Sequence, residues 1–224
     1  MVKNNSFTLS FFKDNAIFWW STYLLLLLGG MALWMYPQGS LLLYFSENRQ
    51  IYTDLFFKYG TKMGEEPTYL FLTLACLFIR FRYSLFIPLI GIVVTLVAYL
   101  AKSIFLHPRP SIYFRELGIL DTIQTVEGVQ LLSGLTSFPS GHTMSAFALF
   151  SFLAFVFPKK GAYNLVFLGI ALLVGISRIY LVQHFLKDVY LGAIMGVLIG
   201  AGMYVLQKQW LDNEEHWLNG RLGN

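Results

Sequence analysis

The chain has 224 residues, of which 56% are hydrophobic, 17% aromatic and only 12% charged, with a mean hydropathy of +0.60. That balance excludes an ordinary soluble globular domain and describes an integral membrane protein. The formal charge of +4 comes without a basic run or an RNA-reading motif, which argues against nucleic acid as a partner, and the single cysteine, Cys76, leaves no intrachain disulfide and no cysteine-based zinc site.

A spanning helix needs roughly 20 apolar residues, and the apolar runs predict six in chain order: 17–36, 66–82, 84–102, 140–158, 162–181 and 186–206. The first follows Lys3 and Lys13 as a secretory leader would. No small-residue cleavage site comes after it, and Trp34, Tyr36 and Pro37 read as an interfacial exit, so an uncleaved helix is expected. The second is the shortest in apolar content, Tyr69 to Ile79, and spanning requires a polar extension towards Thr61 and snorkelling of Arg80. Arg80 and Arg82 fall in the turn between the second and third helices, and Lys159 and Lys160 in the turn between the fourth and fifth. The positive-inside rule assigns both turns, and with them both termini, to the cytoplasm. Connections 37–65 and 103–139 then face outward, together with the turn near His184. The expected fold class is an all-α, polytopic membrane protein, with residues 1–224 as one domain of six transmembrane helices and its site at the extracytoplasmic membrane edge.

Three short polar motifs stand at the ends of these runs: Lys102 to Pro110, Pro139 to His142, and Ser177 to Asp188. Charged side chains at membrane edges are costly, and the predicted topology puts all three motifs on one outer face, which favours a single site. Lys102 and Arg109 can both be directed at one anion by a helix end and a turn at Pro108 and Pro110; a pair of snorkelling anchors is the plainer reading. Ser140 is a good N-cap after Pro139, Gly141 lets a ligand approach the free amides of a helix start, and His142 stands beside that position; an ordinary cap with a structural histidine is the alternative. Asp188 lies four residues after His184 and reaches its imidazole along one helical face, which leaves the other ring nitrogen free as nucleophile or base. A structural pair and a metal ligand are the rival readings of those two residues. Arg178 supplies a further cation for phosphate.

Lys102-x6-Arg109-Pro110, Pro139-Ser140-Gly141-His142 and Ser177-Arg178-x5-His184-x3-Asp188 resemble the three signatures of the type 2 phosphatidic acid phosphatases, in the acid phosphatase and vanadium-dependent haloperoxidase superfamily. Every signature position is occupied, over residues 102–188. The resemblance implies His184 as the nucleophile that becomes a phosphohistidine, Asp188 as its orienting carboxylate, and His142 as the acid and then the base. It implies Lys102, Arg109, Arg178, Ser140 and Gly141 as the phosphate cage. No metal and no other cofactor are expected. Soluble relatives that hold vanadate for haloperoxidase chemistry do not match a chain with about six spans.

The resemblance therefore implies metal-independent hydrolysis of a lipid phosphate drawn from the bilayer. Phosphatidic acid, phosphatidylglycerol phosphate, undecaprenyl diphosphate and a lipid A-like phosphate are the candidate substrates. A lipid phosphotransferase using the same intermediate, and a flippase or transporter, are the alternatives. A bacterial cytoplasmic membrane with the site facing outward is the expected location, with no obligatory protein partner. Residues 111–138, with Tyr113, Phe114 and Arg115, read either as an interfacial lid or as a plain connector; Glu65 and Glu66 read either as facing the headgroup or, the preferred reading, as a solvated edge.

Overall fold

The structure is a computed structural model that describes residues 10–157, 161–210 and 216–223. Among these residues it is all helical, with no strand. Four long helices anchor it: α1 (Ala16–Met35), α5 (Phe81–Phe105), α8 (Ala162–Tyr180) and α9 (Leu186–Trp210). Between them come α2 (Ser40–Glu47), α3 (Ile51–Gly60), α4 (Glu66–Leu77), α6 (Pro110–Glu116) and α7 (Gly141–Val156).

Four segments are long and apolar enough to cross a membrane: α1, the run Phe81–Glu116 that contains α5, α8 and α9. The protein is thus an integral membrane protein by length and composition. The other two expected spans are shorter than predicted. Helix α4 has 12 residues and α7 has 16, about 18 and 24 Å at 1.5 Å per residue, against roughly 30 Å of hydrocarbon. The polar extension of α4 towards Thr61 does not form, because Thr61–Gly64 is a 3-10 turn and Glu65 is extended before Pro67 restarts the chain as a helix. At the other end α4 stops at Leu77, and Arg80 is extended, so Arg82 lies in the first turn of α5 rather than in the connecting turn. Its guanidinium stacks on Tyr83 at 5.1 Å and the residue is 5% exposed. The apolar run misled the boundaries because Phe78 and Ile79, in the turn, are as hydrophobic as the helix before them. Lys3, Lys159 and Lys160 lie outside the described residues.

Helix α7 is apolar on all sides and buried on all sides, as such a helix must be when protein rather than lipid surrounds it. It packs on α9, α8 and α5. Its closest seam is with α9, where Gly192, Gly196 and Gly200 repeat every fourth residue and share one face. A Cβ on them would meet Ser140 O at 2.7 Å, Met144 O at 2.6 Å and Ala148 O at 2.5 Å. The small residues therefore serve backbone contact within the chain. Helix α1 is the opposite case: it is apolar all round and its Trp34 is 89% exposed, as suits a lipid-facing element. The two long connections are not plain loops. They carry α2, α3 and α6, and a second apolar cluster (Leu42, Phe114, Ile123, Ile179, Val182, Phe185 and Val189) lays them over the turn between α8 and α9.

Candidate active site

The turn joining α8 to α9 is the most constrained piece of the site. The carbonyl of Arg178 accepts from Gln183 N at 2.9 Å and from His184 N at 3.1 Å, and Val182 between them adopts φ +57°. Left-handed backbone is an outlier for a β-branched residue, and burial of Val182 in the apolar cluster holds it there. The turn delivers His184 into the protein at 2% exposure.

Both ring nitrogens of His184 are engaged. Nε2 lies 3.2 Å from Arg109 Nη1 and Nδ1 lies 3.3 Å from Asp188 Oδ2. A guanidinium only donates, so Nε2 accepts with its lone pair, and Nδ1 carries the proton and donates it to the carboxylate. The same oxygen of Asp188 accepts from Ser137 Oγ and from Phe185 N at 3.0 Å. Burial is the main cause that pulls the His184 pKa down to about 4; Asp188 opposes it and the Arg109 charge adds to it. At neutral pH the ring is uncharged with its lone pair facing the cationic side.

Arg109 is brought there by its own local structure. Pro110 fits the first turn of α6, which makes Arg109 the N-cap residue. Its backbone N–H donates to Gly134 O at 3.0 Å and its Nη1 also donates to Gln183 O at 3.0 Å. Lys102, in the last turn of α5, places Nζ 3.7 Å from where a Cβ on Gly141 would stand. Any side chain at 141 would fill that space. Ser140 caps α7, its Oγ accepting from Thr143 N at 3.4 Å and Thr143 Oγ1 at 2.9 Å, and its own N–H donates to Asp188 O at 3.0 Å. Helix α7 thus points its free amide end at the space beside Lys102.

His142 faces outward from this group. It is within electrostatic reach of Arg178, His184, Lys102 and Arg109, yet its Nε2 lies 3.5 Å from Glu65 Oε1, with the two side chains 38% and 30% exposed. Arg178 is 6% exposed and donates from Nη1 to Thr61 Oγ1 at 2.9 Å, while its Nε has no partner. The structure therefore brings all eight sequence-selected residues to one end of the bundle. Neither His142 nor Arg178 is hydrogen-bonded to His184 there; Arg178 donates to Thr61, and His142 lies beside Glu65.

Several contributors lie outside the three sequence motifs. Glu65 reads as a solvated edge from sequence but pairs with His142, whereas Glu66 is exposed as expected. Thr61 and Gly64 sit in the 3-10 turn, where a Cβ on Gly64 would be 2.9 Å from His142 O. Ser137, two residues ahead of the Pro139 motif, was the most findable of them. In 111–138, Phe114 is buried and Arg115 is exposed. Arg49 fastens the outer helices to the end of α8, donating to Tyr180 O at 3.0 Å and to Asp54 Oδ1 at 3.2 Å. The assembled groups can bind a tetrahedral oxyanion among cations and amides, attack its centre with a neutral imidazole, and supply a proton from a second imidazole.

Residues 82–212 match the family model of the PAP2 superfamily, a range that contains all three motifs. The chain is 34% identical over 132 residues to the "Probable lipid phosphate phosphatase 4" of Arabidopsis thaliana, covering 50% of this chain and 43% of the relative. It is 32% identical over 117 residues to the "Lipid A 4'-phosphatase" of Porphyromonas gingivalis, covering 52% and 46%. The matches span less than half the length of those two relatives. The crystal structure of Aquifex aeolicus LpxE superposes with a TM-score of 0.62 at 25% identity, over 74% of this chain and 93% of that one.

Proposed function

The chain belongs to the PAP2 superfamily, and on that premise we propose that it removes phosphate from a membrane lipid through a phosphohistidine formed on His184. The observation that carries the reading is the His184 ring, buried, neutral and oriented, with Nδ1 donating to Asp188 and the Nε2 lone pair directed at a cation. A phosphoryl oxygen takes the place of that ring nitrogen as the partner of Arg109 when substrate enters.

In the first step the Nε2 lone pair attacks phosphorus and the bond to the ester or anhydride oxygen breaks. His142 donates its proton to that leaving oxygen, and Asp188 stabilises the positive charge that develops on His184. In the second step water gives a proton to His142 and attacks phosphorus, the P–N bond breaks, and His184 regains its lone pair as phosphate departs. Lys102, Arg109, Arg178, the Ser140 hydroxyl and the Gly141 amide hold the three equatorial oxygens. Positive side chains supply the charge, so the reaction needs no metal. Glu65 holds the His142 ring between the site and water.

The same reading takes residues 1–224 as one phosphatase domain of six spans, with α4 and α7 as the short ones. Helix α7 needs no full hydrocarbon length because other helices surround it. The site lies at the outer edge of the bacterial cytoplasmic membrane, where a lipid keeps its chains in the bilayer while the headgroup reaches His184. Relatives named for lipid phosphate and for lipid A phosphate support that substrate class. The test is phosphate release by the purified protein from lipid phosphates in the presence of chelator. The expected result is release that vanadate inhibits; a requirement for added divalent metal would overturn the mechanism.

A further inference from the structure

One cation beside the site is not used by this chemistry. Lys187 precedes Asp188, and its Nζ donates to Gln38 Oε1 at 2.7 Å and meets His107 Nε2 at 3.1 Å. Both partners are neutral acceptors. No carboxylate lies within 4.0 Å of Lys187 among the described residues, where the ion pairs are those of Arg49, His142 and His184. An ammonium only donates, so His107 accepts at Nε2 and carries its proton on Nδ1. That nitrogen is buried and has no hydrogen-bond partner. An ammonium with no carboxylate in direct contact and a ring donor without an acceptor stand together; the neighbouring Asp188 carboxylate acts on the ammonium from farther off.

Lys187 and its partner Gln38 line a cavity. A space of about 230 Å³ lies between the end of α1 and the start of α9, with Leu33, Leu41, Leu42 and Phe185 as apolar wall and Gln38 and Lys187 as its polar part. Phe185 belongs to both the cavity and the candidate active site: its amide donates to Asp188 Oδ2 at 3.0 Å, while the residue lines the cavity and its ring lies 5.7 Å from Lys187 Nζ. Apolar walls suit a lipid chain, and an ammonium with no carboxylate in contact suits an anion.

We propose that Lys187, supported by Gln38 and His107, is a second anion subsite that takes a further negatively charged group of the lipid headgroup. The preferred substrate is then a lipid bearing two anionic groups, one at His184 and one at Lys187. This rests on the lipid phosphatase reading and narrows it. His107 comes from the Lys102–Arg109 loop, Gln38 from the connection after α1, and Lys187 from the His184 motif, so the subsite is assembled from three segments that already frame the reaction.

The test uses the purified full chain in detergent micelles with three lipids: phosphatidic acid, diacylglycerol diphosphate, and phosphatidylglycerol phosphate. The first two share their chains and differ by one phosphate, and the third carries its second anion farther away. In the parent protein the kcat/KM ratio of at least one doubly anionic lipid over phosphatidic acid is expected to exceed about tenfold, the size of one good ionic contact. Lys187→Gln keeps hydrogen-bonding capacity without charge and should lower that ratio about tenfold, through KM rather than kcat. Lys187→Arg should restore it. Which of the two lipids responds tells whether the second anion is the adjoining phosphate or a separate group. A ratio near one in the parent protein, or an equal loss on all three lipids in Lys187→Gln, overturns the subsite and leaves the phosphatase reading standing. Absence of turnover on every lipid by the parent protein overturns both.

Discussion

The two histidines of the site occupy opposite environments. His184 is 2% exposed, and both of its ring nitrogens are held, by Asp188 and Arg109. The His142 side chain is 38% exposed and leans on the half-exposed Glu65. Under the proposed mechanism these environments amount to a division of labour. A nucleophile gains from exclusion of water and from a fixed tautomer, whereas a group that gives a proton in one step and takes one from water in the next must stay in touch with solvent.

Replacing His184 breaks the comparison most completely. His184→Ala is expected to lose at least about 1,000-fold in kcat, because the nucleophile and its oriented partner act as a unit; phosphate release from a lipid phosphate measures it. Substantial residual turnover would remove the buried side from the covalent step. Next in size is Arg178→Ala, expected to cost on the order of 100-fold as the loss of one positioned donor to the phosphoryl oxygens. Arg178 serves both sides, so a loss confined to KM would make it a docking group only.

On the open side the effect is smaller. Glu65→Gln removes the charge of a partly exposed group 3.5 Å from His142, a contact worth up to about 1 kcal/mol, so kcat should fall no more than about fivefold. A fall as large as that of Arg178→Ala would give Glu65 a direct part in proton transfer. The pH response sharpens the comparison further. The His184 pKa is pulled down by burial to about 4, below the ordinary value near 6.5. The ring therefore stays neutral as pH falls through 6.5 and gains its proton only near 4. A ring-carbon NMR titration assigned by comparison with His184→Ala should place the midpoint there; a midpoint at 6 or above would contradict the burial argument.

The grouping of the candidate site residues was more legible in the sequence than their supports were. His184 and Asp188 were readable because a spacing of four puts two residues on one helical face. Gly141 and Ser140 were readable because caps and close approach demand those residue types. Thr61, Glu65 and Gln183 were not, because their roles come from packing: a 3-10 turn wedged against α7 and α8 brings Thr61 to Arg178 and Glu65 to His142. Hydropathy could not mark the end of α4, since Phe78 and Ile79 in the turn continue the apolar run. It also could not tell α7, buried in protein, from α1, which buries only Phe18 and Thr22. The glycines of α9 were legible as small residues, but only the backbone of α7 at 2.5–2.7 Å from their would-be Cβ positions says what they pack on.

The most direct test of the account is to trap the intermediate. His142→Ala loses both the leaving-group acid and the water-activating base while His184, Asp188 and the cations remain, so a lipid diphosphate radiolabelled in its outer phosphate, whose phosphate leaving group departs without added protonation, should leave label on the protein after rapid quenching. The account predicts about one label per active chain, stable in alkali and labile in acid as a phosphohistidine is, and located on His184. Label that persists in His142→Ala/His184→Ala, or the absence of any labelled protein while lipid is still turned over, would contradict it.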